Sequence, residues 1–409
     1  MKHILFISYD GMTDPLGQSQ IIPYLIGLTK YGYCFTILSC EKPERYSLFK
    51  NEIENLLKPF PIKWVPLLYH KNPPVFSSAY DTIMMIRKAK ELHAKEKFDM
   101  VHTRPGTPAL IGLWMKKNLG IKFLNDIRDF FAESRIDSGS WNKTNFIYKS
   151  VYRFFKQKEN EAVEKCDGIV CLTEAAKKII SSWPQYKNEI PLEVIPCSVD
   201  TNLFDPAEID FAEKLKFKTE LNIKDEDCII SYLGSIGSWY LTNELMLFFK
   251  IISDKIPATK FLFISPDKHE TIINAAKKVD LHENKIMIQK AKRNEVPVLL
   301  SFSKFSVFFI KPCFSKLASS PTKHGEIMAM GIPAITNRGV GDVADIVEKY
   351  KSGIVVKNFS KAQFESVAMQ IADGISFDKN SIRNAAFEYY NLENSVEKYS
   401  KIYKEVLEK

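Results

Sequence analysis

The chain has 409 residues with a formal net charge of +8, and it is 45% hydrophobic and 26% charged, the balance of a soluble globular protein with material for two or three domains. The charge excess is mild and no dense Lys/Arg block carries it, so no nucleic acid is expected as a partner. A negatively charged substrate or an anionic membrane surface fits equally well. The seven cysteines show no CxxC pair and the seven histidines neither HxH nor HExxH spacing, so the expectation is reduced thiols in a cytoplasmic protein and no metal site. No apolar run reaches the roughly eighteen residues that cross a bilayer, and Met1–Ile7 is too short for a signal peptide.

Ile4–Ser8 is a short apolar run without alternation, the pattern of a strand buried on both faces. Tyr9–Gln20 reads as a polar loop, Ile21–Lys30 as a helix and Phe35–Ser39 as a strand, together a βαβ unit with a right-handed crossover. The rhythm recurs. Helices are predicted over Ala79–Glu96, Pro108–Lys117, Asn142–Lys165 and Glu174–Ser181, and strands over Met100–Thr103, Lys122–Asp126, Gly168–Leu172 and Glu193–Ile195. Such alternation argues for an open, mostly parallel sheet with helices on both faces. Pro196–Phe217 is polar, broken by Pro206 and without an apolar period, and reads as the crossing between domains. A second βα series has strands at Cys228–Leu233, Phe261–Ile264, Ile286–Ile288, Phe305–Ile310, Ala334–Asn337 and Gly353–Val355, and Leu392–Glu408 reads as a terminal helix. The fold class is α/β with two Rossmann-like domains, 1–203 and 204–390, followed by the helix of 391–409. Two such sheets facing one another would leave a ligand cleft at their strand C-terminal ends.

Ser319–Ile335 draws attention within the second series. Pro321 suits a first helical turn, Ser319 or Ser320 can cap it, and Gly331 supplies the stop before a strand opened by Pro333. The N-terminus of such a helix can hold a phosphate, with Lys323 adding a full charge, while Glu326 about one turn on can accept two ribose hydroxyls. An ordinary loop–helix–strand unit with exposed charges would use the same residues.

Taken in order, a set of short motifs resembles the GT-B glycosyltransferases, and most closely family four of the retaining nucleotide-sugar enzymes. In the first half they are Asp14-Pro15-Leu16-Gly17-Gln18-Ser19-Gln20, Asp126-Ile127-Arg128-Asp129-Phe130-Phe131, Glu159 with Ala162, Cys166–Glu174, and Val194–Asp200 with Phe204. In the second half they are Tyr232-Leu233-Gly234-Ser235-Ile236-Gly237 and Pro321–Pro333. The resemblance spans nearly the whole chain. It implies a GT-B fold with a central cleft, a C-terminal helix able to cross back to the N-terminal domain, a donor nucleotide in the second domain and an acceptor in the first. The implied reaction is hexosyl transfer from a nucleotide-diphosphate sugar, UDP-linked, to a saccharide or lipid-linked saccharide in cell-surface polysaccharide synthesis, with no cofactor and no metal.

The resemblance also assigns residues. Glu326 matches the second of two family glutamates and takes the ribose, while Ala318 stands where the first, facing the donor sugar, is usual; Ser319, Ser320 and Lys323 are the expected replacements. Gly234, Ser235 and Gly237 form the loop against the diphosphate, but the arginine and lysine that often follow that glycine are absent. The compensating cation is expected to be Lys323, then Arg293, then Lys316. Gly17, Gln18 and Asp126 complete the reaction centre from the first domain, with His102, Arg104 and Arg128 toward the acceptor and Glu133 and Arg135 as weaker candidates. A plain turn would also explain Gly17 and Gln18, a surface pair or helix cap Asp126 and Arg128, and simple packing His102. Asn142–Lys158 mixes Phe146, Tyr148, Tyr152, Phe154 and Phe155 with Lys143, Lys149, Arg153, Lys156 and Lys158. It could sit on an anionic membrane at the inner face, although the favoured reading packs the aromatic stripe inward and leaves the cations in water. An epimerase of the same fold and a non-catalytic nucleotide-sugar binder remain open alternatives.

Overall fold

The computed structural model describes residues 1–408, which divide into two compact units: Met1–Ser198 together with the segment from Leu392, and Val199–Asn391. The expected boundary after 203 therefore lies at Ser198, and the C-terminal helix Leu392–Glu408 belongs to the first unit.

In the first unit seven parallel strands form one sheet: β1 (Lys2–Ser8), β2 (Tyr33–Glu41), β3 (Ile62–Leu68), β4 (Met100–Thr103), β5 (Lys122–Ile127), β6 (Gly168–Cys171) and β7 (Leu192–Val194). Their spatial order is β3-β2-β1-β4-β5-β6-β7. Ile4 pairs with Phe35 on one side and Met100 on the other, so β1 is central and its run from Ile4 to Ser8 is buried throughout. The Ile22–Thr29 helix and the C-terminal helix cover one face, where Tyr24, Leu25, Tyr399 and Tyr403 join Ile4, Phe6 and Phe35 in a shared core. The strand order reverses between β1 and β4, and crevices for ligands open at the C-terminal ends of strands at such a reversal.

In the second unit the strands are β8 (Cys228–Leu233), β9 (Thr259–Ile264), β10 (Ile286–Gln289), β11 (Phe305–Val307), β12 (Ala334–Asn337) and β13 (Gly353–Val356), in the order β10-β9-β8-β11-β12-β13. All pair in parallel, and the order reverses between β8 and β11. Two apolar clusters cover the two faces of this sheet, one holding Phe308, Ile327 and Met328, the other Phe248, Phe261 and Phe364.

Several elements differ from the sequence reading. Pro15–Gln20 is a helix rather than loop. Its Gly17 is there for close approach, since a Cβ would lie 2.2 Å from the Gly11 carbonyl oxygen. A helix over Pro43–Leu57 and the strand β3 occupy a stretch left unassigned. The helix buries only Ile53 and Leu57, and β3 is a half-buried edge strand interrupted by Pro66, so neither has a full apolar period. The Phe131–Asp137 helix is too short to show a period. Within the stretch read as a bare crossing, Asp205 and Asp210 cap a 3₁₀ turn at Pro206–Glu208 and a helix at Phe211–Glu220.

Candidate active site

The strand reversal of the second unit is where the conspicuous stretch lands. The Thr322–Ala329 helix starts after Pro321, which is its N-cap residue rather than its first turn; a prolyl ring carries no hydroxyl, so the cap expected from a serine side chain is absent at that position. At the other end Gly331 adopts φ 67° while its N–H donates to Met328 and that of Ile332 to Ile327, a left-handed stop that favours glycine.

Lys323 points from the first turn of this helix back under the end of β8. Its Nζ lies 3.0 Å from where a Gly234 side chain would begin, so the φ of 104° and the bare Cα at Gly234 make room for the amine. The amine lies 3.9 Å from the Tyr240 ring centre and 4.8 Å from that of Tyr232, and it has no hydrogen-bond partner among the described residues. Burial draws the Lys323 pKa down to about 7, against the opposing pull of Glu326. A desolvated, unpaired ammonium is costly, and among the described residues two aromatic faces and one nearby carboxylate stabilise this one.

Glu326 is nearly buried, and one oxygen accepts a charge-assisted hydrogen bond from Arg293, whose guanidinium lies 4.7 Å from the centre of the Phe204 ring. Arg293 is thus tied to the carboxylate, and Lys316 lies over Trp239 at 3.7 Å. The Gly234–Gly237 loop is braced from within. Tyr232 donates to the Ser235 carbonyl at 2.6 Å, and the N–H groups of Ile236 and Gly237 donate to Asp267 and Thr242 at 2.6 and 2.9 Å. Three residues invisible to motif reading buttress the helix. Tyr390 hydrogen-bonds His324 Nδ1 at 2.9 Å and packs where Gly325 has no side chain, Arg383 donates to the Ala329 carbonyl, and Tyr240 closes the cage over Lys323. Ala318 is fully buried and ends the 3₁₀ turn Phe314–Ala318; Ser320 is half-buried.

In the first unit the predicted residues converge on Asp126 at the end of β5. Oδ2 of Asp126 accepts from Tyr399 at 2.9 Å, His102 Nε2 at 3.3 Å and Arg104 at 3.4 Å, with Arg128 at 3.8 Å. Burial alone would raise the Asp126 pKa, but Arg128 and Arg104 outweigh it and hold the carboxyl well below its usual range. His102 is buried between Asp126 and Tyr403, whose hydroxyl lies 2.7 Å from Nδ1, so both ring nitrogens are engaged within the unit; burial lowers its pKa. Arg104 also donates to the Gln20 carbonyl, and Arg128 donates to Tyr399 and Cys197. A cavity of about 10 Å³ beside them, lined by Asp126, Arg104, Tyr399 and Gln20, has room for one water and no larger ligand. Tyr399 and Tyr403 carry no motif, and only their helical spacing on an apolar face could have flagged them.

Gln18 donates to the Thr13 carbonyl at 3.2 Å at the C-terminal edge of β1, apart from the Asp126 cluster. The loop before it is organised by fully buried Glu41, which accepts from Met12, Thr13 and Ser39. Glu133 pairs with Lys156 at 2.9 Å, and the Arg135 guanidinium stacks on Phe131. Nearby Glu159 is raised to about 7, chiefly by burial.

Comparison with known proteins agrees with this architecture. A family described as glycosyltransferase family 4 matches residues 27–203, and one described as glycosyl transferases group 1 matches residues 213–386. The fold resembles sucrose-phosphate synthase from Thermosynechococcus elongatus, with a TM-score of 0.72, 13% identity and coverage of 99% of this chain and 98% of that one. It also resembles Anabaena HepE in complex with UDP and glucose, at 0.71, 11%, and 99% and 100%. A third similar structure is WaaG, a glycosyltransferase involved in lipopolysaccharide biosynthesis, at 0.70, 14%, and 98% and 99%. No curated protein matches by sequence. Two parallel sheets with these matches define a GT-B glycosyltransferase. Within that class the chain belongs to family four.

Proposed function

We propose that the protein is a retaining glycosyltransferase whose donor is a nucleoside-diphosphate sugar, with UDP the favoured nucleotide, and whose acceptor is a hydroxyl of a saccharide or lipid-linked saccharide. The observation that carries this is Lys323: a buried, unpaired amine at the strand reversal of the second unit, beside a glycine turn and one helical turn from Glu326. Diphosphate oxygens satisfy it, and its charge compensates the negative charge that builds on the leaving group. The ribose hydroxyls take Glu326, with Arg293 holding the carboxylate in place. The sugar–phosphate bond breaks as the acceptor oxygen bonds to the anomeric carbon, and the acceptor proton passes to the departing phosphate on the same face. Asp126 serves this reading by orienting Arg104 and Arg128, and Gly17 and Gln18 by shaping the loop after β1. The solved HepE complex with UDP and glucose supports the nucleotide, and WaaG supports a role in cell-surface glycans.

Incubation with a panel of nucleotide sugars, with and without saccharide acceptors, tests the reading by release of nucleoside diphosphate. Release that requires acceptor supports it, and turnover of donor to an epimer contradicts it. Glu326→Ala removes charge-assisted bonds worth about 1.5–3 kcal/mol, so donor affinity should fall about ten- to hundredfold. Unchanged affinity refutes the ribose assignment.

A membrane contact belongs to the same proposal. On the Phe146–Lys165 helix, Tyr148, Tyr152 and Phe155 are half-buried, while Phe146, Ile147 and Phe154 are exposed alongside Lys149 and Arg153. The aromatic stripe is therefore split, and Lys156 turns inward to Glu133. No helix among the described residues is long and apolar enough to cross a membrane. Changing Phe146 and Phe154 to serine should abolish co-sedimentation with anionic vesicles. Retained sedimentation removes this contact from the proposal.

A further inference from the structure

Outside the residues above, one titratable cluster at the C-terminal edge of the first sheet has no role. His70 follows the end of β3, and its Nδ1 lies 2.5 Å from Oδ1 of Asp81 on the Phe76–Glu96 helix. The Asp81 side chain is 1% exposed, and its other oxygen accepts from the Tyr9 hydroxyl at 2.8 Å and the His70 backbone N–H at 3.1 Å. Three acceptor positions of this buried carboxylate are thereby used, one of them on the His70 ring. That ring is 48% exposed, its Nε2 has no partner among the described residues, and its edge packs against Tyr80 at 5.1 Å. A carboxylate on Nδ1 fixes the ring and leaves Nε2 as the outward group, which donates to an anion when the ring carries its second proton. Lys71 is the next residue and is exposed.

The second observation is independent. From its first residue the same helix presents Phe76, Tyr80 and Ile83, exposed at 75%, 51% and 49%, at i, i+4 and i+7, and the row continues as exposed Arg87 and Lys90. Three large apolar side chains on one solvent-facing stripe extend roughly 10 Å along the helix from the first of them. Lone exposed apolar residues need no account, but a row bracketed by cations beside an oriented histidine does.

We propose that this corner binds an amphiphilic phosphate, with the phosphate on Nε2 of His70 and Lys71 and the apolar chain along Phe76, Tyr80 and Ile83. The inference rests on the reading of the first unit as the acceptor side, and it gives the acceptor a chemical class: a phosphate carrying a long alkyl or prenyl chain. Asp81 is a positioning residue, since it acts only through His70.

The full chain labelled in its histidines is titrated, without donor, with decyl phosphate below its micellar concentration, with inorganic phosphate and with decyl maltoside, following the His70 ring resonance assigned by His70→Gln. Decyl phosphate should shift it at a concentration at least tenfold lower than inorganic phosphate, and decyl maltoside should not. Phe76→Ser with Ile83→Ser should erase the tenfold advantage while keeping the response to inorganic phosphate. Calorimetric affinity for decyl phosphate should drop at least tenfold in His70→Gln, a change at a half-exposed side chain that leaves the core intact. Equal shifts from decyl and inorganic phosphate, equal shifts from the neutral amphiphile, or no shift overturn the proposal. Because no nucleotide sugar is present, failure here is distinct from failure of the transferase reading, which is scored by nucleotide release.

Discussion

Replacing Lys323 by methionine should raise the melting temperature of the protein while abolishing nucleotide binding. The wild-type amine is buried, and Glu326, its one carboxylate neighbour among the described residues, is shared with Arg293. A thioether of similar length fills the same space between Tyr232 and Tyr240 without a charge to desolvate. The expected gain is about 1–3 kcal/mol, or roughly 2–4 °C per kcal/mol for a unit of this size. Differential scanning calorimetry with and without UDP measures both effects. A lowered melting temperature with undiminished binding would show Lys323 to be structural.

The same residue sets a pH dependence with a definite sign. Its pKa is about 7 in the free site against an ordinary 10.5, so the unfolded chain holds one more proton between these values. Stability on its account rises with pH across that window, and the methionine variant should lack the rise. Donor binding runs the other way, because phosphate requires the charged amine. Affinity should be greatest below pH 7 and fall by up to tenfold per pH unit above it, with a proton taken up on binding. Calorimetry in buffers of different ionisation enthalpy reads that proton directly.

Asp126→Ala should be among the most damaging substitutions in the first unit. It leaves two guanidiniums, Arg104 and Arg128, in a buried site without their carboxylate, and strips Tyr399 and His102 of an acceptor. Breaking one side of a buried ion cluster costs about 3–5 kcal/mol, which for a unit of this size is about 10 °C in melting temperature. Tyr399→Phe, which removes one hydrogen bond, should cost only about 1 kcal/mol. Because the Asp126 pKa is depressed, its contribution is complete above the ordinary 3.8 and is lost only as pH falls through its lower folded value. A melting temperature within a degree or two of wild type would show that the cluster carries no net stability.

Much of this architecture is legible from residues alone, because parallel strands buried on both faces are written as unbroken apolar runs. Met100–Thr103, Cys228–Leu233 and Ala334–Asn337 coincide with the observed strands to the residue. The misses share a cause. At the edge, β3 needs only one apolar face and carries Pro66, and the Pro43–Leu57 helix meets the core through two residues, so periodicity fades where burial is partial. At the site, charge spacing pointed to Lys323 and Glu326. It could not show that the lysine would be caged by Tyr232 and Tyr240, which approach it from elsewhere in the chain. For the same reason His102, the end of a strand in sequence terms, proves to be clasped by a tyrosine three hundred residues later, at 403.

That last contact bears on how the protein is made. The helix carrying Tyr399 and Tyr403 leaves the ribosome after the whole of the second unit, so the second unit can fold while the first still lacks one wall. Until translation reaches that helix, Asp126 and His102 have no phenol to hold, and the core around Ile4 and Phe35 stays open on one face. A nascent chain stalled before Leu392 would present that unfinished surface to chaperones, however complete its second unit.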